Sequence, residues 1–394
     1  MTISDENPSN GSPIRVMVVD DSAVIRGLVT RMLEADSEIA VVASVSNGQL
    51  AVNQLERQVG KIDVIILDIE MPVMDGLTAI PLLIKADANI KIIMASTLTK
   101  RNAEISLQAL SAGATEYVPK PSSSRELSGE NEFKRELTQK VKDLGKIYRQ
   151  ALGKPVVRRS GVQGLVTEAG KADANKAGPG GSSQRWEINS ASEIKLRTPG
   201  TSKSEILAIG SSTGGPQALF DFLNGLPKTI NLPIVITQHM PATFTAILAE
   251  HITRSTGWPC TEAKDGDALV AGKILLAPGG FHMTVVQKGA QRVIALNQDA
   301  PENFCRPAVD PMLRSLVKVY GPRILTVILT GMGNDGARGS QIVVDAGGTV
   351  IAQDEKTSVV WGMPGAVACA GICSAVLPVS ELPRHAAGLL SRGV

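Results

Sequence analysis

The stretch Ile206-Leu207-Ala208-Ile209-Gly210-Ser211-Ser212-Thr213-Gly214-Gly215-Pro216 decides how the C-terminal half of the chain is read. Its four opening apolar residues suit a strand buried on both faces, as in a parallel sheet. Pro216 then starts a helical run to Leu226, since proline is pre-set for the first helical turn and needs no amide partner there. Between them the glycines allow a tight strand-to-helix turn with the Ser212 hydroxyl at its tip, the geometry of a nucleophile elbow. A parallel α/β sheet keeps its chemistry at that carboxyl edge. Two other readings stay open on the hexapeptide alone: a phosphate held by free helix N-terminal amides, or a turn with no further role.

Outward from this stretch, strand-like runs recur at 233–237, 273–277, 323–330 and 349–352, with helical stretches between most of them. Residues 204–394 are therefore expected to form a mainly parallel, doubly wound α/β unit. Two further strand ends carry groups that complete a hydrolytic set. His239 follows the second strand in Thr237-Gln238-His239-Met240-Pro241, and Asp335 follows Leu329-Thr330-Gly331-Met332-Gly333-Asn334. A serine hydroxyl is barely ionised at neutral pH and needs a base. His239 is the candidate base, with Asp335 to fix its tautomer and stabilise the imidazolium. The Thr213 and Met332 amides are the oxyanion candidates. The order Ser, His, Asp differs from the Ser, Asp, His order of ordinary α/β-hydrolases, so the same roles are expected on another sheet. His282 ranks second as base, while His251 and His385 read as polar helix or terminal positions. No His-Glu-x-x-His or similar zinc spacing occurs.

Residues 14–150 alternate short β-branched runs (16–19, 40–44, 64–67, 90–94, 116–118) with amphipathic segments such as 23–34 and 49–58, a (βα)5 pattern. Phe133, Leu137, Val141, Leu144, Tyr148 and Leu152 recur at helical steps and predict a closing helix. Asp20 and Asp21 end the first strand and Asp68 the third. Adjacent parallel strand ends converge, so three carboxylates share one pocket and call for a hard cation such as Mg²⁺. A carboxylate so poised also accepts a phosphoryl group. Ser96 and Lys120, after the fourth and fifth strands, are placed to bind the added oxygens.

With 394 residues and 43% apolar content the chain is long enough for two cores. The expected division is 1–150, a linker at 151–203, and 204–394. The polar tract Lys171-Ala-Asp-Ala-Asn-Lys-Ala-Gly-Pro-Gly-Gly-Ser-Ser183 buries too little to repay ordering entropy. The N-terminus is polar and acidic, not a secretory signal, and no eighteen-residue apolar run predicts a membrane span. A net charge of +2 gives no bias toward nucleic acid. The four cysteines form no Cys-x-x-Cys pair, and Cys369 and Cys373 read as small buried hydrophobes. A reducing cytoplasm is the expected compartment.

Val-Val-Asp20-Asp21-Ser, Asp68-Ile-Glu-Met-Pro-Val-Met-Asp75-Gly76 and Lys120-Pro121 resemble the receiver domain of a two-component response regulator. That resemblance implies a flavodoxin-like fold, Asp68 as phosphoacceptor, and Asp20 and Asp21 as partners in holding Mg²⁺. It also implies Ser96 and Lys120 as phosphate readers, Tyr117 as an aromatic switch and a histidine kinase as phosphoryl donor. The C-terminal half resembles the catalytic domain of the chemotaxis protein-glutamate methylesterases. The stretches that carry this likeness are Ile209-Gly-Ser-Ser212-Thr-Gly-Gly-Pro, Gln238-His239-Met-Pro, Leu276-Ala-Pro-Gly-Gly, Arg306-Pro307-Ala-Val-Asp310 and Leu329-Thr-Gly-Met-Gly-Asn-Asp335-Gly336. It implies Ser212, His239 and Asp335 as a triad that needs no cofactor, acting on methylated glutamates of transmembrane chemoreceptors and on receptor glutamines. It further implies that the receiver gates the esterase. A regulator whose output domain only binds a ligand is the alternative. It leaves the three strand-end groups unexplained. A nucleic-acid-binding output finds no basic patch or helix-turn-helix pattern here.

Overall fold

The computed structural model describes residues 12–97, 99–120, 127–153 and 194–391. The polar tract at 171–183 lies outside them. The N-terminal sheet contains β1 (Ile14–Val19), β2 (Ile39–Val45), β3 (Val64–Asp68), β4 (Lys91–Thr97) and β5 (Glu116–Lys120). All pairs are parallel, in the order β2-β1-β3-β4-β5, the doubly wound arrangement expected of a (βα)5 unit. Its helices are α1 (Ala23–Glu34), α2 (Gly48–Arg57), α3 (Gly76–Ala86), α4 (Lys100–Ser111) and α5 (Leu127–Ala151). The first four start on a side-chain cap: Ser22, Asn47, Asp75 and Thr99 each accept an amide of the first turn. The α5 stripe is buried as its spacing predicts, with Phe133, Leu137, Val141, Leu144 and Tyr148 inside the core.

Residues 194–203 carry no helix or strand and run along the C-terminal unit, where Arg197 N donates to Cys373 O and Gly200 N to Thr349 Oγ1. That unit follows as β6 (Ile206–Ser211), α6 (Gly215–Gly225), β7 (Ile234–Gln238), α7 (Ala242–Thr256), β8 (Cys260–Glu262) and β9 (Ile274–Leu276). Next come β10 (His282–Lys288), β11 (Gln291–Asn297), α8 (Val309–Tyr320), β12 (Ile324–Ile328) and α9 (Ala337–Asp345). It closes with β13 (Thr349–Gln353), α10 (Gly362–Cys369), β14 (Ala375–Leu377) and α11 (Leu382–Leu390). Seven strands make a parallel sheet in the order β14-β13-β12-β6-β7-β9-β8. The chain leaves β6 toward β7 on one side and returns to β12 on the other. The end of β6 is therefore a switch point, where an open α/β sheet forms its crevice.

Four strands lie outside the periodic reading. β8 and β14 are three-residue strands at the two edges. β10 and β11 form an antiparallel hairpin beside the sheet, paired from His282↔Asn297 to Lys288↔Gln291. Its two-residue loop places Gly289 at φ 60°, a conformation that glycine adopts without a Cβ penalty.

The two units are packed together. Helix α4 lies against α6 and α7, and the Tyr117 ring stacks on Phe244 of α7 at 4.5 Å and 12°. Val360, in the β13–α10 connection, is buried in the cluster that holds Phe133, Leu137 and Val141 of α5, with Met332 and Val359 packed against it.

Candidate active site and phosphoacceptor pocket

Ser212 comes one residue after β6 and His239 one residue after β7. The strand register aligns them, since Ser211 pairs with Gln238 and His239 N donates to Ser211 O at 3.1 Å. Gln238 fixes the serine turn. Its Oε1 accepts from Ser211 Oγ at 2.7 Å and its Nε2 donates to Ser212 O at 2.9 Å. On the other flank Ser212 N donates to Thr330 O at 3.0 Å. Gly331 crosses so close that a Cβ there would lie 2.9 Å from Ser212 Cβ and 2.3 Å from Met363 Sδ. Gly214, at φ 71°, turns the chain into α6. The Thr213 and Met332 amides flank this turn, and among the described residues neither makes a backbone hydrogen bond.

Asp335 lies in the β12–α9 loop, 1% exposed, and reaches across the end of β6 to His239. The His239 Nε2···Asp335 Oδ2 distance is 2.7 Å. The same carboxylate accepts the Val309 amide at 2.6 Å, the Asp310 amide at 3.2 Å, the Gly336 amide at 3.0 Å and Asn303 Nδ2 at 2.9 Å. Helix α8 has no side-chain cap at Ala308. Asp335 takes that place from a distant loop, satisfying the first amides of α8 and meeting the positive end of its dipole. Burial would raise the Asp335 pKa, but the His239 contact and these amides outweigh it and hold the group below the ordinary 3.8.

The other ring nitrogen of His239, Nδ1, lies 3.3 Å from Cys305 Sγ. Burial favours the neutral imidazole, yet Cys305 and Asp335 on either side favour the charged form and raise its pKa to about 10. His282 is no rival base. Its Nδ1 accepts the Ala308 amide at 3.2 Å and its Nε2 meets Ala300 O at 3.1 Å, so the ring braces the loop before α8.

Three further residues shape this edge without a signal in periodicity or spacing. Asn303 bridges two carboxylates, with Nδ2 on Asp335 Oδ1 and on Asp310 Oδ2 at 3.1 Å. Asp310 is buried, accepts Gly339 N at 2.7 Å, and has its pKa pushed up to about 6 by burial and by the charge of Asp335. Cys305 is the third. They lie in or just after an irregular loop, where neither helical nor strand repeats locate a side chain.

The carboxylate oxygens of Asp20, Asp21 and Asp68 lie within 4.8 Å of one another at the ends of β1 and β3. Lys120 bridges two of them, its Nζ lying 2.6 Å from Asp20 Oδ2 and 2.7 Å from Asp68 Oδ1. Burial raises the Asp68 pKa, Lys120 lowers it, and Asp20 adds to the rise. Three hard oxygen donors crowded in this way fit a Mg²⁺ ion. Ser96 is buried one residue past the Asp68↔Ala95 pair and turns its hydroxyl toward Ser106 Oγ of α4, 3.2 Å away. Tyr117 is 3% exposed and faces the other unit. Beside it, burial raises the pKa of Glu116 against the pull of Lys140, and the Thr213 side chain is near enough to lower it slightly, so the receiver-like unit approaches the residue that follows Ser212.

Residues 207–386 match the family described as CheB methylesterase, and residues 16–130 match the response regulator receiver domain. The chain is 58% identical over 384 residues to the protein-glutamate methylesterase/protein-glutamine glutaminase of group 2 operon from Rhodospirillum centenum, covering 95% of this chain and 94% of that one. It is 55% identical over 385 residues to the protein-glutamate methylesterase/protein-glutamine glutaminase of Azospirillum brasilense, covering 98% and 94%. Among solved structures it is similar to the catalytic domain of Thermotoga maritima CheB methylesterase. The identity is 39%, the coverage 48% of this chain and 100% of that one, and the TM-score 0.46.

Proposed function

This chain belongs to the CheB protein-glutamate methylesterase/protein-glutamine glutaminase family, and from that premise we propose how its residues do the work. It is a carboxylic ester hydrolase and glutaminase under a receiver domain. It removes methyl groups from glutamate side chains of chemoreceptors, which gives adaptation in chemotaxis signalling. Units 1–150 and 204–394 act as receiver and esterase, joined by 151–203.

Ser212 Oγ attacks the ester carbonyl as His239 takes its proton. Because Nε2 is committed to Asp335, Nδ1 is the base nitrogen. The forming imidazolium is stabilised by the Asp335 carboxylate. Thr213 and Met332 amides receive the negative charge on the carbonyl oxygen. Collapse of the tetrahedral intermediate breaks the ester C–O bond, and the methoxy group leaves as methanol with the proton returned by His239. Water then repeats the cycle on the acyl-serine and releases glutamate. A receptor glutamine follows the same path with ammonia as leaving group. The esterase step uses no metal or other cofactor. One observation carries the assignment: Asp335, fixed by four other donors, grips His239 at the switch point where β6 delivers Ser212.

In the receiver pocket, Asp20, Asp21 and Asp68 would hold Mg²⁺, which would supply charge neutralisation, and Asp68 is the carboxylate that accepts the phosphoryl group from a chemotaxis-type histidine kinase. The enzyme works in the cytoplasm, and among the described residues no helix is long and apolar enough to cross a membrane. The unphosphorylated receiver covers the Ser212 edge through Glu116, Tyr117 and α5. Phosphorylation pulls Ser96 and Lys120 toward the new oxygens and shifts the population toward an open cleft.

Purified protein is expected to release methanol from membranes bearing methylated receptors, and Ser212→Ala is expected to abolish it. A phosphoryl donor with Mg²⁺ should raise the rate, and Asp68→Asn should remove that rise. Retained hydrolysis in Ser212→Ala would reject the nucleophile, and an unchanged rate with phosphoryl donor would reject the gating.

A further inference from the structure

We propose that Cys305 is a latch on the catalytic histidine, which the receiver holds shut through Phe304. The proposal rests on the gating reading above and names the parts that transmit it. An imidazole has two ring nitrogens. Here Nε2 is on Asp335 at 2.7 Å and Nδ1 is 3.3 Å from Cys305 Sγ. Nδ1 is the nitrogen that must face Ser212 if the base is to work. Whether the shared proton sits on sulfur or on nitrogen, Nδ1 is taken and Ser212 has no acceptor for its own proton. A ring in this state keeps its contact with Asp335 but is idle.

Cys305 is carried by a turn that is held from three sides. Glu302 and Cys305 exchange backbone hydrogen bonds, with Glu302 N on Cys305 O at 3.1 Å and Cys305 N on Glu302 O at 2.8 Å. Between them Asn303 (φ 52°) and Phe304 (φ 64°) are both in the left-handed region. Asn takes up that backbone readily, but a bulky residue such as Phe304 does so at a steric cost that its surroundings must hold in place. Two of the restraints come from the esterase: Asn303 bridging Asp310 and Asp335, and Glu302 paired with Arg314 of α8, Oε2 to Nη1 at 2.8 Å. The third comes from the receiver. Arg135 of α5 lies with its guanidinium 4.8 Å from the centre of the Phe304 ring, a cation–π contact. Phe304 is 78% exposed with this contact in place, so Arg135 is the side chain that meets its ring.

The line of contacts is continuous: α5 of the receiver, Arg135, Phe304, the peptide into Cys305, then His239 Nδ1. When the receiver leaves, the left-handed turn loses its outermost restraint and relaxes. Cys305 moves off Nδ1, and the nitrogen becomes available to Ser212. Cys305 is thus a positioning residue with an inhibitory sign. It differs from steric cover, because a substrate that reached the cleft of the latched enzyme would still meet an occupied base.

The test uses the full chain and methylated receptor membranes, with methanol release measured before and after a small phosphoryl donor and Mg²⁺. Cys305→Ala is expected to raise the unphosphorylated rate about five-fold, the weight of roughly 1 kcal/mol of hydrogen bond in a two-state ratio, and to reduce the stimulation by the same factor. Cys305→Ser keeps a donor and should fall back toward the wild type. Arg135→Ala should raise the basal rate, and adding it to Cys305→Ala should raise it no further, since both act through one contact. Should Cys305→Ala lose stability, Phe304→Ala leaves the thiol in place and tests the same line. A basal rate that is unchanged or lowered in Cys305→Ala overturns the latch, as does a multiplicative double variant. Wild type that ignores the phosphoryl donor overturns the gating, while stimulation that persists undiminished in Cys305→Ala overturns the latch alone.

Discussion

Asp335 gathers hydrogen bonds from His239, Asn303 and the amides of Val309, Asp310 and Gly336. A carboxylate accepts all of them, whereas an amide must turn one NH₂ group toward donors. Asp335→Asn is therefore expected to cost about 2–3 kcal/mol of stability through an unsatisfied buried donor pair. It should also lower kcat by roughly three to four orders of magnitude, as loss of the tautomer-fixing charge does in other triads. Denaturant melts and methanol release check the two effects. The depressed Asp335 pKa sets a sign as well. Its stabilising contribution is present above the unfolded-state value of about 3.9 and fades as pH falls through the lower folded value, and Asp335→Asn should remove that acid dependence. His239 gives the opposite sign, with a pKa raised to about 10 by Cys305 and Asp335 against burial. A protonated ring cannot take the Ser212 proton, so kcat/KM of the closed enzyme should rise with pH. In Cys305→Ala that rise should move to lower pH by on the order of one unit, as nearby-charge shifts do, with Asp335 still facing the ring and Asp310 behind it. A limb that stays in place would count against any contact between thiol and base. Ser212 and His239 were legible as candidates because parallel strands deliver their next residues to one rim, and Asp335 because its glycine-rich loop leaves the neighbouring β12. Asn303 and Cys305 were not, since a left-handed loop turn leaves no repeat to read.

The turn between β6 and α6 works because glycine surrounds it. Gly331 passes so near that a methyl group would press on Ser212 Cβ and Met363 Sδ, with no positive φ at stake. Gly331→Ala is expected to leave the melting transition nearly in place if Met363 yields, while displacing the nucleophile. A shift of about 1 Å there is enough for roughly a 100-fold loss of kcat. Methanol release beside a thermal melt checks it, and full activity would mean that the serine turn tolerates movement. The same elements show what sequence patterns carry. Apolar runs such as Ile206–Ile209 and Val64–Leu67 mark parallel strands because both of their faces are buried. The β10–β11 hairpin is exposed over three successive residues toward its tip, Val286 to Lys288, and its signal lay in the Gly289-Ala290 loop rather than in an apolar run. β8 and β14 are too short for any period to show.

How the two units meet is the least legible level, because an apolar side chain that serves a neighbouring unit looks like one that serves its own. Phe133 and Leu137 read as the inner stripe of α5, yet the cluster they belong to also holds Val360 of the esterase. Tyr117 likewise combines two roles: it pairs from β5 with Met94 of β4 in the receiver sheet and stacks on Phe244 of α7. Burial, with Glu116 and Glu136 nearby, pushes its pKa well above 10, so the ring stays neutral and acts through area and stacking. Between these contacts, Lys140 Nζ donates to Tyr117 O at 2.8 Å and pairs with Glu116, tying β5 to α5 beside the nucleophile turn. A docked pair of this kind releases in proportion to the contact removed. Tyr117→Ala leaves every esterase residue in place and deletes an aromatic pair worth about 0.5–1.5 kcal/mol, so the unphosphorylated rate should rise roughly three- to ten-fold. Hydrogen exchange should quicken in α4 and α7 together, since each loses the other as cover. A faster basal rate with unchanged exchange in α7 would mean that Tyr117 acts within the receiver alone. If rate and exchange both stay as they are, the Tyr117–Phe244 stack carries none of the restraint, and the weight falls on Glu116 and α5.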